Sequence, residues 1–264
     1  MGCGGAAPGC AMTASTVSVR PRSRFGAILG YTFRSCLPPK RLAAVALPCL
    51  GMILFGVLAH AIDDPGRNAY ANVAAEAILG LLMPIGALII GDSVLGAEIR
   101  SGTFHFTWLS PTPVWQIVVG RWLGGAMVVL CSLAPASALS AVVGGEPTDA
   151  WPAFLAAAAG GTAYVALFVA LACVTKRTAV WALAIVFLVE RLLGAALSGI
   201  SQLSPTWEAR AIYVGLADDV PRRLEREGIP TGMAAVVRLA IICAVALFIA
   251  VRRMPKMHLA SASD

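Results

Sequence analysis

A chain of 264 residues that is 58% hydrophobic and only 13% charged, with a mean hydropathy of +0.80, has more apolar surface than a soluble domain can bury and too few charges to solvate the rest. That excludes a soluble fold and predicts an all-α, polytopic membrane protein, because in lipid a helix satisfies its own backbone. The net charge of +6 falls in short basic clusters beside apolar runs rather than along one polar face, so it speaks of topology and not of a nucleic-acid partner.

Residues 1–19 are rich in Gly, Ala, Ser and Thr, with neither a core-forming pattern nor the basic-then-apolar order of a signal peptide. They read as a disordered cytoplasmic tail. Gly2 and Cys3 do not make a myristoylation site, since Ala6 stands where Ser or Thr is wanted. From 20 to 41, Phe25, Ile28, Leu29, Tyr31 and Phe33 are interleaved with Arg20, Arg22, Arg24, Arg34, Lys40 and Arg41. This is the pattern of a basic interfacial helix with its aromatics in the membrane lipids and its arginines on their phosphates, and it also fixes orientation. Pro38 and Pro39 separate it from the first apolar run.

A crossing needs about 20 apolar residues, and windows at 42–62, 71–91, 122–143, 151–174, 178–200 and 233–251 qualify. They define a six-span domain over 42–256, followed by a short tail, 257–264. Six crossings put both termini on one side. Lys and Arg are more numerous on that side, in 20–41, at Arg100 and Arg121, at Lys176 and Arg177, and at Arg252, Arg253 and Lys256, than on the other, which has Arg67, Arg210, Arg222, Arg223 and Arg226. Both termini are therefore expected to be cytoplasmic, in a cell membrane. The long external interval 201–232 reads as a solvated loop or a cap, with a short helix at 221–227. Cys49, Cys131, Cys173 and Cys243 lie in apolar runs and no external loop holds a cysteine, which excludes an external disulfide framework.

Between the second and third windows lies a polar interval, 92–116. Val94, Leu95 and Ile99 recur at helical spacing, Gly102 stops the pattern, and Pro111 and Pro113 forbid an unbroken helix before Ile117. A compact helical elbow at the membrane surface is predicted there. Small residues four apart, Gly120 with Gly124, Ala156 with Gly160, Ala157 with Gly161 and Gly194 with Ser198, allow close helix approach, within one subunit or at a dimer seam.

Little in the sequence supports catalysis. His60, His105 and His258 fall in regions that cannot meet, and HExxH, CxxC and GxSxG patterns are absent, so neither a metal site nor a catalytic residue is assigned. None of Lys40, Lys176 and Lys256 follows a glycine, which excludes a phosphate-binding loop; any ATP must be bound by a partner. The remaining chemistry is charge inside spans: Glu76, Glu190, Arg191 and Arg238, all placed in the outer half of the bilayer. Two acids and two bases are expected to neutralise one another, with Arg238 taking Glu190 or Glu76, either as static pairs or as a network that closes the outer end of a pathway.

The elbow and the helix after it resemble the signature of ABC type-2 transporter permeases, the membrane subunits of ATP-binding-cassette exporters. Glu98, Gly102, Thr103, Leu109, Pro111, Ile117, Gly120 and Arg121 carry the resemblance, with Val114 where the family often has a base and Arg121 where it often has lysine. The resemblance implies a transport subunit that is not itself an enzyme and that pairs with a second copy or a related permease. ATP and Mg would be bound by a separate ATPase subunit. Glu98, Arg100, Gly102, Thr103 and Phe104 would contact that ATPase or shape the elbow, Phe106 and Trp108 would fill its groove or anchor at the interface, and Pro111, Pro113, Gly120 and Arg121 would form the hinge and turn. Replacing Glu98 and Arg100 with Ala is then expected to uncouple transport while leaving the chain folded. The competing expectation is a secondary transporter or channel that uses Glu76, Glu190, Arg191 and Arg238 as an ion relay.

Overall fold

The polypeptide satisfies its backbone helix by helix, and no strand occurs among the described residues. The computed structural model describes residues 24–36, 38–62, 69–96, 98–99, 112–175, 178–184, 186, 204–217 and 232–256. Among the described residues five helical segments are long and apolar enough to cross a membrane: α2 (Pro39–Ile62), α3 (Ala69–Gly96), α4 with α5 (Val114–Cys131 and Leu133–Val143), α6 (Ala150–Ala172) and α9 (Met233–Arg253). Among the described residues three shorter α-helices accompany them: α1 (Arg24–Ser35) before the first crossing, and α7 (Thr178–Ala184) and α8 (Pro205–Leu216) between α6 and α9. The chain is thus a helical protein built to pass through a membrane several times. Of the predicted window 178–200, only α7 and Val186 belong to the described residues, and the tails 1–19 and 257–264 lie outside them, as does the predicted helix 221–227.

Two boundaries differ from the hydropathy windows. The second span continues past Gly91 to Gly96, and the third begins at Val114 rather than Trp122, after Pro113 in an extended conformation. Val94 and Leu95 are therefore buried in the bundle instead of lying on a surface helix. Polar side chains that hydropathy assigns to water are neutralised inside the fold. Ser93 returns its hydroxyl to the Ile89 and Ile90 carbonyls at 2.8 Å, and Arg121 is paired.

Local irregularities accompany the prolines. Pro135 has no N–H for the carbonyl of Cys131 and would clash with it in an unbroken helix, and the helix breaks just there, at Ser132, whose hydroxyl donates to the Val128 carbonyl at 2.6 Å. Pro84 likewise lacks the donor that Gly80 would accept, and the turns before it, Ala74–Leu82, widen into a π-helix.

Helix α6 is the centre of the bundle, with α3, α4, α5, α8 and α9 packed around it. Its apolar window is 67% buried, against 22% for α9. Small side chains make this possible. A Cβ on Gly160 would stand 2.7 Å from the Cβ of Ala209 on α8 and 2.8 Å from the sulfur of Met83 on α3, so only glycine admits both neighbours. Gly161 serves Val129 of α4 in the same way, and these stripes are used for packing within the chain; Gly194 and Ser198 lie outside the described residues. At the periphery, α2 exposes Leu47, Leu50 and Leu54, and α9 exposes Ile241, Val245 and Phe248, faces that hydrocarbon solvates without penalty.

Candidate functional site

Charged side chains gather at two ends of the bundle. At the hinge end, Arg121 lies in the second turn of α4, 2% exposed, with a guanidinium that must be matched by acceptors if it is to stay ionised. Glu98, just beyond the end of α3, supplies them: Nη1 donates to Oε1 and Nη2 to Oε2, each at 2.7 Å, a two-pronged pair. Nη1 also donates to the Val94 carbonyl at 3.0 Å, one of the acceptors that the last turn of a helix leaves without an intrahelical donor. Tyr31 of α1 places its ring 5.1 Å from the guanidinium carbon. One residue therefore ties together α1, the end of α3 and the start of α4.

Tight packing reinforces that junction. A Cβ on Gly124 would come within 2.7 Å of Thr32, which is buried beneath it on α1. Arg41, at the start of α2, donates to the Ser35 carbonyl at 2.5 Å and to the Ser93 carbonyl at 3.3 Å, so α2 joins the same corner. Cys36 sits between, its sulfur 3.9 Å from Ser93 Oγ; burial pushes its thiol up, against the opposing pull of Ser93, Ser35, Arg41 and Arg121, and it stays a neutral thiol.

Of the residues predicted to act here, Glu98, Pro113, Gly120 and Arg121 belong to the described residues, and Gly120 is buried in α4 beside Arg121. Arg100, Gly102, Thr103, Phe104 and Pro111 lie outside the described residues, as do Phe106, Trp108 and Leu109. The fork on Arg121 bears on the Glu98 and Arg100 double substitution: removing Glu98 strands a buried cation, so that variant perturbs folding as well as any coupling.

The opposite end is organised by α8, which the hydropathy pattern assigns to an external loop. It packs against α6, α9 and the π-helical part of α3. Successive residues reach different elements. Thr206 shares a hydrogen bond with Tyr164 of α6 at 2.6 Å, Arg210 Nη2 donates to Glu76 of α3 at 3.0 Å, and Tyr213 donates to Asp149, ahead of α6, at 2.5 Å. Glu208, 0% exposed, faces Arg238 of α9 at 3.6 Å. Among the described residues Arg238 faces Glu208 and Glu76 takes Arg210, where a pairing of Arg238 with Glu76 or Glu190 is expected; Glu190 and Arg191 lie outside the described residues.

Glu208 and Arg210 escape a sequence-based reading because charge implies solvent exposure. A usable signal is nevertheless present: Ser204 followed by Pro205 is a helix start, and Ala209, Ala211, Ile212 and Tyr213 provide the apolar positions of a buried helix. Compared with known protein families and with curated proteins, the sequence matches none.

Proposed function

We propose that this chain is the transmembrane permease subunit of an ABC exporter, coupled through the interval between α3 and α4 to a separate ATPase that binds ATP and Mg. The observation that carries the reading is the Glu98–Arg121 fork. Glu98 and Arg121 are the first and last residues of the pattern that resembles the permease signature, and their side chains join the two spans that flank the interval. A force applied between them reaches α3 and α4 together, and through Tyr31 it reaches α1. Glu98 and Arg121 are then positioning residues of the elbow, while Arg100, Gly102, Thr103 and Phe104 are the candidates for ATPase contact. A second permease, the same or related, completes the pathway, with the elbow and both termini on the cytoplasmic side of the cell membrane.

The test is whether an adjacent reading frame encodes a soluble ATPase, followed by reconstitution of the chain with it. Nucleotide-dependent transport is expected, with R100A losing transport and ATPase co-purification while its melting temperature stays that of the wild type. Transport by the chain alone, without any nucleotide hydrolase, rejects the proposal, and so does labelling of the elbow from outside the cell. A secondary transporter or channel draws less support: the described charges form two clusters at opposite ends of the bundle, which is not the relay that such a protein requires.

A further inference from the structure

Glu208, 0% exposed, is the most enclosed carboxyl among the described residues at its end of the bundle. Both carboxyl oxygens are buried, and neither accepts a hydrogen bond from any described residue. The cation that faces it, Arg238 Nη1, is 3.6 Å away and is itself without a hydrogen-bond partner among the described residues. Other charges around it are engaged elsewhere. On its own helix Arg210 is held by Glu76 of α3; ahead of α6, Asp149 accepts from Tyr213; from α6, Tyr164 bonds Thr206. An anion stripped of solvent needs short donors, as Glu98 has in the two 2.7 Å bonds from Arg121, and Glu208 has none among the described residues.

We propose that Glu208 is a proton-binding site: in this packing of α8 against α3, α6 and α9 it is a neutral carboxylic acid, and the proton it takes from the aqueous phase holds α8 in place. Desolvation by burial raises its proton affinity, against the lowering pull of Arg238. By linkage, a carboxyl whose folded value lies above its unfolded one stabilises the fold below the ordinary carboxylate range, and that stabilisation is lost as pH rises through the raised value. Loss of the proton leaves a charge that must turn toward Arg238, whose side chain is 42% exposed, or toward water, and either loosens α8. The site depends on neither the elbow nor an ATPase.

The experiment uses the purified full chain in nanodiscs, with infrared spectra and melting curves recorded across pH. The carbonyl band of a protonated carboxyl is expected in the wild type at pH values above the unperturbed carboxylate range of about 4–5, and this persistence is expected to vanish in E208Q. Over the same interval the wild type should lose about 2–4 °C of melting temperature relative to E208Q. R238M should move the band's midpoint to higher pH, because the facing cation is gone. Identical band titrations in wild type and E208Q overturn the proposal. So does an E208Q protein that melts below the wild type at every pH or fails to fold, since a neutral isostere must be tolerated, and so does an R238M midpoint that stays put or falls. No readout involves nucleotide or transport, so failure here leaves the permease reading standing, and the converse holds too.

Discussion

At the hinge end, Arg121 and Glu98 meet through two bonds of 2.7 Å, with side chains 2% and 12% exposed; at the far end, Arg238 and Glu208 stand 3.6 Å apart, 42% and 0% exposed. The residue types are the same and the consequences differ. Where donor and acceptor are enclosed together and aligned, the mutual attraction and the hydrogen bonds offset desolvation, and the pair serves as a tie between helices. Where the acid is enclosed and the base is not, the acid has lost water without gaining donors, and neutralisation by a proton is the lower-energy solution. Buried charge in this bundle is thus structural or titratable according to how evenly the two partners are enclosed.

The largest break in that comparison is expected from R121A. It removes both of the Arg121 hydrogen bonds to Glu98 and the donor to the Val94 carbonyl and should cost about 3–5 kcal/mol, read as loss of the monodisperse peak on size exclusion or as a collapse in melting temperature. R121K keeps the charge but not the two-pronged geometry and should retain part of the stability. Next is G160A, whose new methyl group would meet Ala209 and Met83; overpacking of about 1–3 kcal/mol should push α8 from α6, whereas G30A, with nothing within 4 Å, should leave the melting temperature unchanged. Y213F removes the donor to Asp149 at the far end and should cost about 1–2 kcal/mol, measured by thermal unfolding of the purified chain. Smallest is E76Q: Gln keeps a side-chain oxygen as acceptor for Arg210 Nη2, so the loss should stay below about 1 kcal/mol. An E76Q effect as large as that of R121A would mean that the two ends are not different in kind.

Much of the framework is legible in the chain alone. The apolar windows of α2, α3, α4 with α5, α6 and α9 announce themselves because each is a continuous local run, and Pro113 announces a helix start because its ring removes the donor that an interior turn needs. Glu98 and Arg121 stand out as members of one pattern, but not as partners. The span ends are less legible, since Ser93 and Arg121 look solvent-facing until their acceptors are known.

What the sequence determined by itself was the helical class, the membrane-crossing runs and the breaks between them, all consequences of hydrophobicity and backbone chemistry that act over a few neighbouring residues. The tertiary structure alone decided that α8 is buried and which charges meet: Arg210 finds Glu76 across 134 positions of chain, and Glu208 finds Arg238 on a helix that begins well after its own. The physical reason is that a charge can leave water only when a partner arrives from elsewhere in the fold, and the partner's position is set by packing, which no local pattern encodes.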